Sequence, residues 1–299
     1  MVSGISLLSP VSVISPSRYK GPICFQTELT TGLNRVGAVR MDEGMTVSAQ
    51  QDGLRKLRTD MRAGSTDVLK AVQQQTVLSP QVSIEYVTGQ LLVFKYGTPS
   101  GNQPHDNENA VHFWPVSANS VPFDATPQTN AGILGNTSSG DQSLDARITI
   151  AAYVLGYAVG PDATDNIWSP YVNVVASAYI PAAARNGRET DTRTSSIQAK
   201  YVGQNTVAFH YAFLAGFNPM AANSWVGLWE GRAATYTTPP FWFSPIIQTN
   251  SSGDAALDGL QITKGTPYTL GLFSSGFSEK KDALRLDRLA SMTVFERTA

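Results

Sequence analysis

The sequence has a single cysteine, Cys24, and only three histidines among 299 residues. One cysteine excludes an intrachain disulfide and a metal site built from several thiolates. We find no motif of a serine hydrolase, a phosphate-binding loop, a zinc protease or a dinucleotide-binding fold. The sequence therefore favours a protein that is not an enzyme.

Charged residues are also scarce, at 15% of the chain, and the formal net charge is −1. A chain with so little charge has no overall field that attracts nucleic acid, so we expect no nucleic-acid partner. A polar surface with few charges suits adhesion or packing into a lattice.

Long apolar runs are missing, so we predict no transmembrane segment. The first residues lack the basic region of a classical signal peptide. We therefore expect a cytoplasmic protein or one released by a non-classical route.

Four blocks of sequence occur twice in the same order. Tyr86–Tyr96 matches Tyr201–Tyr211, 115 residues later. The other matched blocks are Val111–Trp114 with Val226–Trp229, Thr137–Asp145 with Asn250–Asp258, and Tyr153–Gly156 with Tyr268–Gly271. Such self-similarity indicates a duplicated domain.

Each copy consists of short β-prone runs separated by glycine, proline, asparagine and serine, a pattern typical of a β-sandwich. We therefore predict a mainly β chain of two tandem, internally duplicated immunoglobulin-like β-sandwich domains. The predicted segments are an N-terminal arm at 1–79, repeat 1 at 80–181, a polar linker at 182–195 and repeat 2 at 196–299.

One strand of repeat 2 supports the same fold. The residues Asn223–Trp229, with the sequence Asn-Ser-Trp-Val-Gly-Leu-Trp, resemble a strand of certain immunoglobulin-like domains such as the SKICH domain. The resemblance covers this single strand, and what it implies is an immunoglobulin-like sandwich.

The arm has too few apolar residues to form a core alone. We expect its short strands to join another sheet, in this chain or in a neighbouring one. Its residues 47–75 show helical periodicity, which predicts an amphipathic helix that is kinked or split at Gly64.

Trp114 and Trp229 occupy equivalent positions, which favours a role in packing. Strict alternation turns both side chains away from the apolar face of their strands. We therefore expect a strand bulge, or a cover formed by the other repeat, the arm or a second molecule.

Repeat 2 also carries an aromatic cluster that repeat 1 lacks. Its members either close the core or hold a sugar ring or a partner's apolar side chain. The candidate ligand-binding residues are Trp225, Trp229, Tyr236 and Trp242.

Two acidic turns give candidate Ca²⁺ ligands, since carboxylates near serine and backbone carbonyls suit this ion. The alternative is ordinary turn chemistry, which uses the same Ser-Gly-Asp sequence. The candidate metal ligands are Asp141, Asp145, Asp254 and Asp258.

Two functions follow from these observations. The first is a structural, self-assembling protein, in which the arm mediates contacts between subunits of a homo-oligomer. The second is a lectin-like or toxin-component module, in which the aromatic residues of repeat 2 bind a glycan or a host surface.

Overall fold

The protein is described by a computed structural model of residues 75–182 and 191–298, all of which belong to one compact unit, Val39–Ala299. These residues form sixteen β-strands and two short 3-10 helices, Lys281–Ala283 and Leu286–Arg288, with no α-helix among them. The predicted mainly β class is confirmed. The predicted helix at 47–75 lies outside the described residues, apart from Gln75.

The strands fall into two series along the chain. The first series is β1 (Thr76–Leu78), β2 (Gln81–Val87), β3 (Leu91–Gly97), β4 (Ala110–Val116), β5 (Thr129–Gly132), β6 (Ser139–Asp145), β7 (Ala152–Ala158) and β8 (Val174–Ile180). The second is β9 (Asp191–Thr194), β10 (Ser196–Val202), β11 (Thr206–Ala212), β12 (Trp225–Glu230), β13 (Trp242–Pro245), β14 (Ser252–Asp258), β15 (Pro267–Phe273) and β16 (Leu289–Glu296).

Four antiparallel sheets result. We refer to β2–β8 as the first half and to β10–β16 as the second half. The first half contributes a three-stranded sheet, in the order β2-β3-β6, and a five-stranded sheet, β5-β4-β7-β8-β9. The second half contributes the sheets β10-β11-β14 and β1-β16-β15-β12-β13.

Irregularities of the backbone recur between the two halves. The ladder of β2 and β3 shifts register at Glu85, and the ladder of β10 and β11 shifts at Lys200, 115 residues later. Glu108 and Asn223, also 115 residues apart, have positive φ angles of 55° and 56°. The chain therefore follows the same local path twice, as the repeated blocks predicted.

Alternating side chains build the interior. In β3 the side chains of Leu92, Phe94 and Tyr96 are buried while Lys95 is exposed. In each half the first strand of the three-stranded sheet packs across the interior against the five-stranded sheet: β2 contacts β7 and β8, and β10 contacts β15 and β16. One cluster of buried apolar side chains extends through both halves.

The leading strand of each half lies in the other half's sheet. β1 precedes β2 along the chain but pairs with β16 of the second half. β9 precedes β10 but pairs with β8 of the first half. The segment predicted as a linker thus contains a paired strand, and so does the end of the predicted arm. The two halves have exchanged their leading strands within one chain.

Candidate functional site

The two equivalent tryptophans are packing residues inside strands that are covered on both faces. A Cβ atom added to Gly156 would lie 2.9 Å from the Trp114 ring, and one added to Gly271 would lie 3.0 Å from the Trp229 ring. Each ring therefore rests on a glycine of the neighbouring strand, at equivalent places in the two halves.

The cover over both rings comes from within the same half. Trp114 Nε1 donates to Ala125 O at 2.8 Å, and Trp229 Nε1 donates to Thr238 O at 2.9 Å. Both acceptors lie in the loop that follows the tryptophan's own strand. This source of cover was missed by the sequence analysis, because nothing local indicates that a polar loop folds back over its strand.

Trp225 is also an interior residue. It is fully buried, its ring stacks on Phe273 with centroids 3.8 Å apart, and its Nε1 donates to Ser275 O at 3.1 Å. Two of the four candidate ligand-binding residues, Trp225 and Trp229, thus have both their rings and their N–H groups engaged within the protein.

Tyr236 lies where the two halves meet. A Cβ atom on Gly101, in the first half, would be 3.9 Å from the Tyr236 ring. The ring is partly exposed, but its hydroxyl is buried and has no hydrogen-bond partner among the described residues. Burial, together with the neighbouring Tyr157, raises the pKa of this hydroxyl. Tyr236 therefore contributes to the contact between halves.

Trp242 lines an open surface, which the largely buried Trp229 also borders. It borders a cleft of about 690 Å³, which we name the aromatic cleft, and its ring lies 3.8 Å from where a Cβ of Gly259 would stand. Phe241, the neighbouring residue, is 39% exposed. The lining of the aromatic cleft includes Glu230, Phe241, Trp242, Gly259, Gln261 and Tyr268.

Two of the four candidate metal ligands face a base on the next strand. Asp141 is opposite Lys95 in the ladder of β3 and β6. Asp254 is opposite His210, with Oδ1 2.8 Å from His210 Nδ1. His210 and Lys95 thus lie at equivalent positions of β11 and β3. Asp254 contacts His210 across the sheet, whereas Lys95 forms its ion pair with Glu85.

Asp145 and Asp258 end the same two strands, and Asp258 Oδ1 accepts a hydrogen bond from Thr206 at 2.5 Å. The two aspartates of each copy are four residues apart, or about 13 Å along an extended strand. Neither pair encloses an ion by itself, and no group of three or more metal-binding side chains occurs in residues 75–182 and 191–298. The Ca²⁺ site stays a prediction.

A polar pocket in the first half was not anticipated. His112 has a side chain that is 1% exposed, and its Nε2 lies 3.1 Å from Asp162 Oδ1. The pocket has a volume of about 460 Å³ and is also lined by Asn109 and Asn130. We name it the His112 pocket. The equivalent of His112 in the second half is Gly227.

Charge in this pocket favours an ionised carboxylate. Burial opposes ionisation of Asp162, but the adjacent His112 and Asn173 side chains and the charge of Arg288 outweigh it, so the pKa of Asp162 lies below its ordinary value. Arg288, which is almost fully buried, has its pKa lowered to about 10 by burial. The sequence offered no signal for this cluster, because its members lie on separate loops and strands.

Comparisons with known protein families and with curated proteins gave no match for this chain. Across the two stretches that the structure describes, no helix has the length and apolar character needed to cross a lipid bilayer.

Proposed function

We propose that the protein is a structural, self-assembling subunit. Its four sheets form two immunoglobulin-like sandwiches, and the arm at 1–79 mediates contacts between subunits of a homo-oligomer. The observation that carries this proposal is the exchange of leading strands. The end of the arm, β1, already joins a sheet that belongs to the other half of the molecule.

The end of the arm is fastened to the second half by side chains as well as by its ladder. Ala199 N donates to Gln75 Oε1 at 3.0 Å, and Gln75 Nε2 donates to Ala199 O at 3.3 Å. Thr293 Oγ1 also donates to Gln75 Oε1, at 3.2 Å. Within one chain, the two halves are thus joined by a leading strand that pairs with the sheet of the other half.

The chain before Gln75 enters the described structure at an exposed sheet edge. Among the described strands, β1 is the outermost of its sheet, and a groove of about 600 Å³ lies beside it. Leu78, which lines this groove, is 38% exposed. An open edge of this kind accepts a further strand through backbone hydrogen bonds, which supports a role for the arm in joining subunits.

The test compares the native mass of the full chain with that of a variant that begins at Gln75, measured by light scattering. This variant keeps β1, so that the edge of β16 stays covered. We expect the full chain to form assemblies and the shortened chain to be a monomer with unchanged β-sheet circular dichroism. Equal masses for the two proteins would contradict a role of the arm in assembly.

A second candidate function, carbohydrate binding, is favoured by the aromatic cleft. Phe241 and Trp242 offer aromatic surface, and Glu230 and Gln261 offer exposed polar groups at the same opening. Sugar rings bind in this way, with their apolar faces on aromatic rings and their hydroxyls on polar side chains.

The test of this second function is a glycan array probed with the wild type and with Phe241→Ala. We expect the substitution to reduce binding at least tenfold without changing the urea midpoint, because Phe241 is partly exposed. Tyr86→Ala is the matched control, since Tyr86 is an exposed aromatic residue of the first half, outside the cleft. An array without any bound glycan would exclude this function for the sugars tested.

A further inference from the structure

The surface that joins the two halves is built twice, once from each side. Thr76 of β1 is opposite Val294 of β16, and Asp191 of β9 is opposite Tyr179 of β8. Thr76 and Asp191 are 115 residues apart, and so are Tyr179 and Val294. The leading strands β1 and β9 are therefore equivalent, and each pairs with an equivalent edge strand of the other half, β16 or β8.

Loops repeat this reciprocity. Ser120, in the loop after β4, faces Gly216 of the second half, where an added Cβ would lie 3.9 Å from Ser120 Oγ. Tyr236, in the equivalent loop after β12, faces Gly101 of the first half at the same 3.9 Å separation. Gly101 and Gly216 are 115 residues apart and both have positive φ angles. The two halves thus meet as two subunits of a twofold dimer do, each using the same patch.

Polar contacts close the junction on both sides. Thr194 Oγ1 donates to Pro80 O at 2.6 Å, and Ser79 Oγ lies 2.8 Å from Ser291 Oγ. Arg288 of the second half donates from Nη1 to Val159 O of the first half at 3.2 Å. Arg288 is 3% exposed, so its burial depends on the presence of the other half.

When β1 is counted with the first half and β9 with the second, the described parts of the two halves are connected once along the chain, through residues 183–190 between β8 and β9. Every other contact between the halves is non-covalent and has the same geometry whether the two halves belong to one chain or to two. A dimer that exchanges halves therefore gains all of these contacts without needing a new surface. The connection within one chain favours the monomer only through its effective concentration, which is in the millimolar range for short linkers.

We propose that the partner of this junction is a second copy of the chain: the first half of one copy docks on the second half of another, and the two copies exchange β1 and β9. This inference rests on the proposed function as a self-assembling subunit, and it names the surface by which copies join. The exchanged form increases with protein concentration by mass action, so that the ratio of dimer to monomer rises about tenfold for a tenfold rise in free monomer.

Disulfide trapping tests this proposal in the full chain. Cys24→Ser removes the native thiol, and Thr76→Cys with Val294→Cys then places a pair across β1 and β16. Opposed residues of an antiparallel ladder have Cα atoms about 4.5–5.5 Å apart, which is within the range that a disulfide spans. Asp191→Cys with Tyr179→Cys gives a second, equivalent pair, so that the test does not depend on a single variant.

The matched control is Lys95→Cys with Asp141→Cys, a pair across β3 and β6 of the same half. After refolding at high protein concentration and oxidation, we expect the junction pairs to give covalent dimers or longer ladders on a non-reducing gel. The control pair should give only monomers, because both of its residues move with one half.

Three results separate this proposal from the proposed function. If light scattering shows assemblies but the junction disulfides form only within single chains, the exchange is overturned. Arm-mediated assembly is then still supported. A protein that stays monomeric at all concentrations would overturn both. Covalent dimers through a junction pair in the variant that begins at Gln75 would support exchange and show that the arm before Gln75 is not required for it.

Discussion

At the scale of single residues, the glycine beneath each tryptophan explains why a tryptophan fits at the same position in both copies. Gly156 and Gly271 are equivalent, and each leaves room for a ring that seals one face of a five-stranded sheet. Trp114 and Trp229 were predicted to be packing residues, and their buried positions fit that role. Both glycines lie in a repeated block of sequence. Their contact with the tryptophans follows only from the pairing of the neighbouring strands.

We expect Gly156→Ala to destabilise the protein, because the new methyl group would lie 2.8 Å from Val174 Cγ1 and 2.9 Å from the Trp114 ring. Overpacking of this kind costs about 1–3 kcal/mol of unfolding free energy, measurable by urea denaturation. Gly132→Ala is the control, because nothing lies within 4 Å of its added Cβ. Equal midpoints for the two variants would show that the Trp114 site relaxes freely.

Asp162 should make stability depend on pH. Its pKa in the folded protein lies below its ordinary value, so the ionised form stabilises the fold. This contribution is complete above the unfolded pKa, about 3.9, and is lost as the pH falls through the folded pKa.

We expect Asp162→Asn to lower the urea midpoint at pH 6 and to have a smaller effect as the pH falls below about 4. The exposed Asp124, changed to Asn, serves as the control. The same loss of stability for Asp162→Asn at pH 6 and at pH 3 would rule out a contribution from its ionised form.

At the scale of elements, the leading strands are the part of the fold that local sequence did not reveal. β1 has only three residues and β9 has four, and β9 is exposed throughout. Neither has the apolar alternation by which β3 or β11 was recognised, so both fell within segments predicted as arm or linker. Their pairing is set by contacts with β16 and β8, which no local pattern contains.

Ser291 is one of the residues of β16 that contact the end of β1, and we predict that Ser291→Ala weakens the fold. Its buried hydroxyl lies 2.8 Å from Ser79 Oγ and accepts a hydrogen bond from Ile197 N at 3.2 Å. Leaving a buried donor without a partner costs about 1–3 kcal/mol. Ser143→Ala, at an exposed position on β6, should change the urea midpoint little. An unchanged midpoint for Ser291→Ala would mean that the junction does not depend on this hydroxyl.

At the scale of the whole molecule, the exchanged strands and a shared cluster of buried apolar side chains join the two halves. Neither half has a complete five-stranded sheet without the other. Self-assembly through the arm and exchange between copies are both proposals at this scale, and both use strand donation, which the chain already performs internally.

We therefore expect a single unfolding transition in calorimetry, with a calorimetric enthalpy equal to the van't Hoff enthalpy. Gly156→Ala in the first half and Gly271→Ala in the second should each shift this one transition to lower temperature. Two separate transitions, each shifted by only one of the substitutions, would show that the halves unfold independently.

By itself, the sequence determined that the chain is mainly β and that its pattern recurs after 115 residues. These properties are local, because alternation of side chains and turn chemistry act over a few residues.

Only the tertiary structure decided which segments meet. Leu78 contacts Ser291, 213 positions away, and His112 of β4 meets Asp162 of the loop after β7. It also decided that Trp225 is enclosed in the interior, while Trp229 and Trp242 border a cleft. Such contacts depend on how the chain closes around a shared core, and a pattern of neighbouring residues does not encode that path.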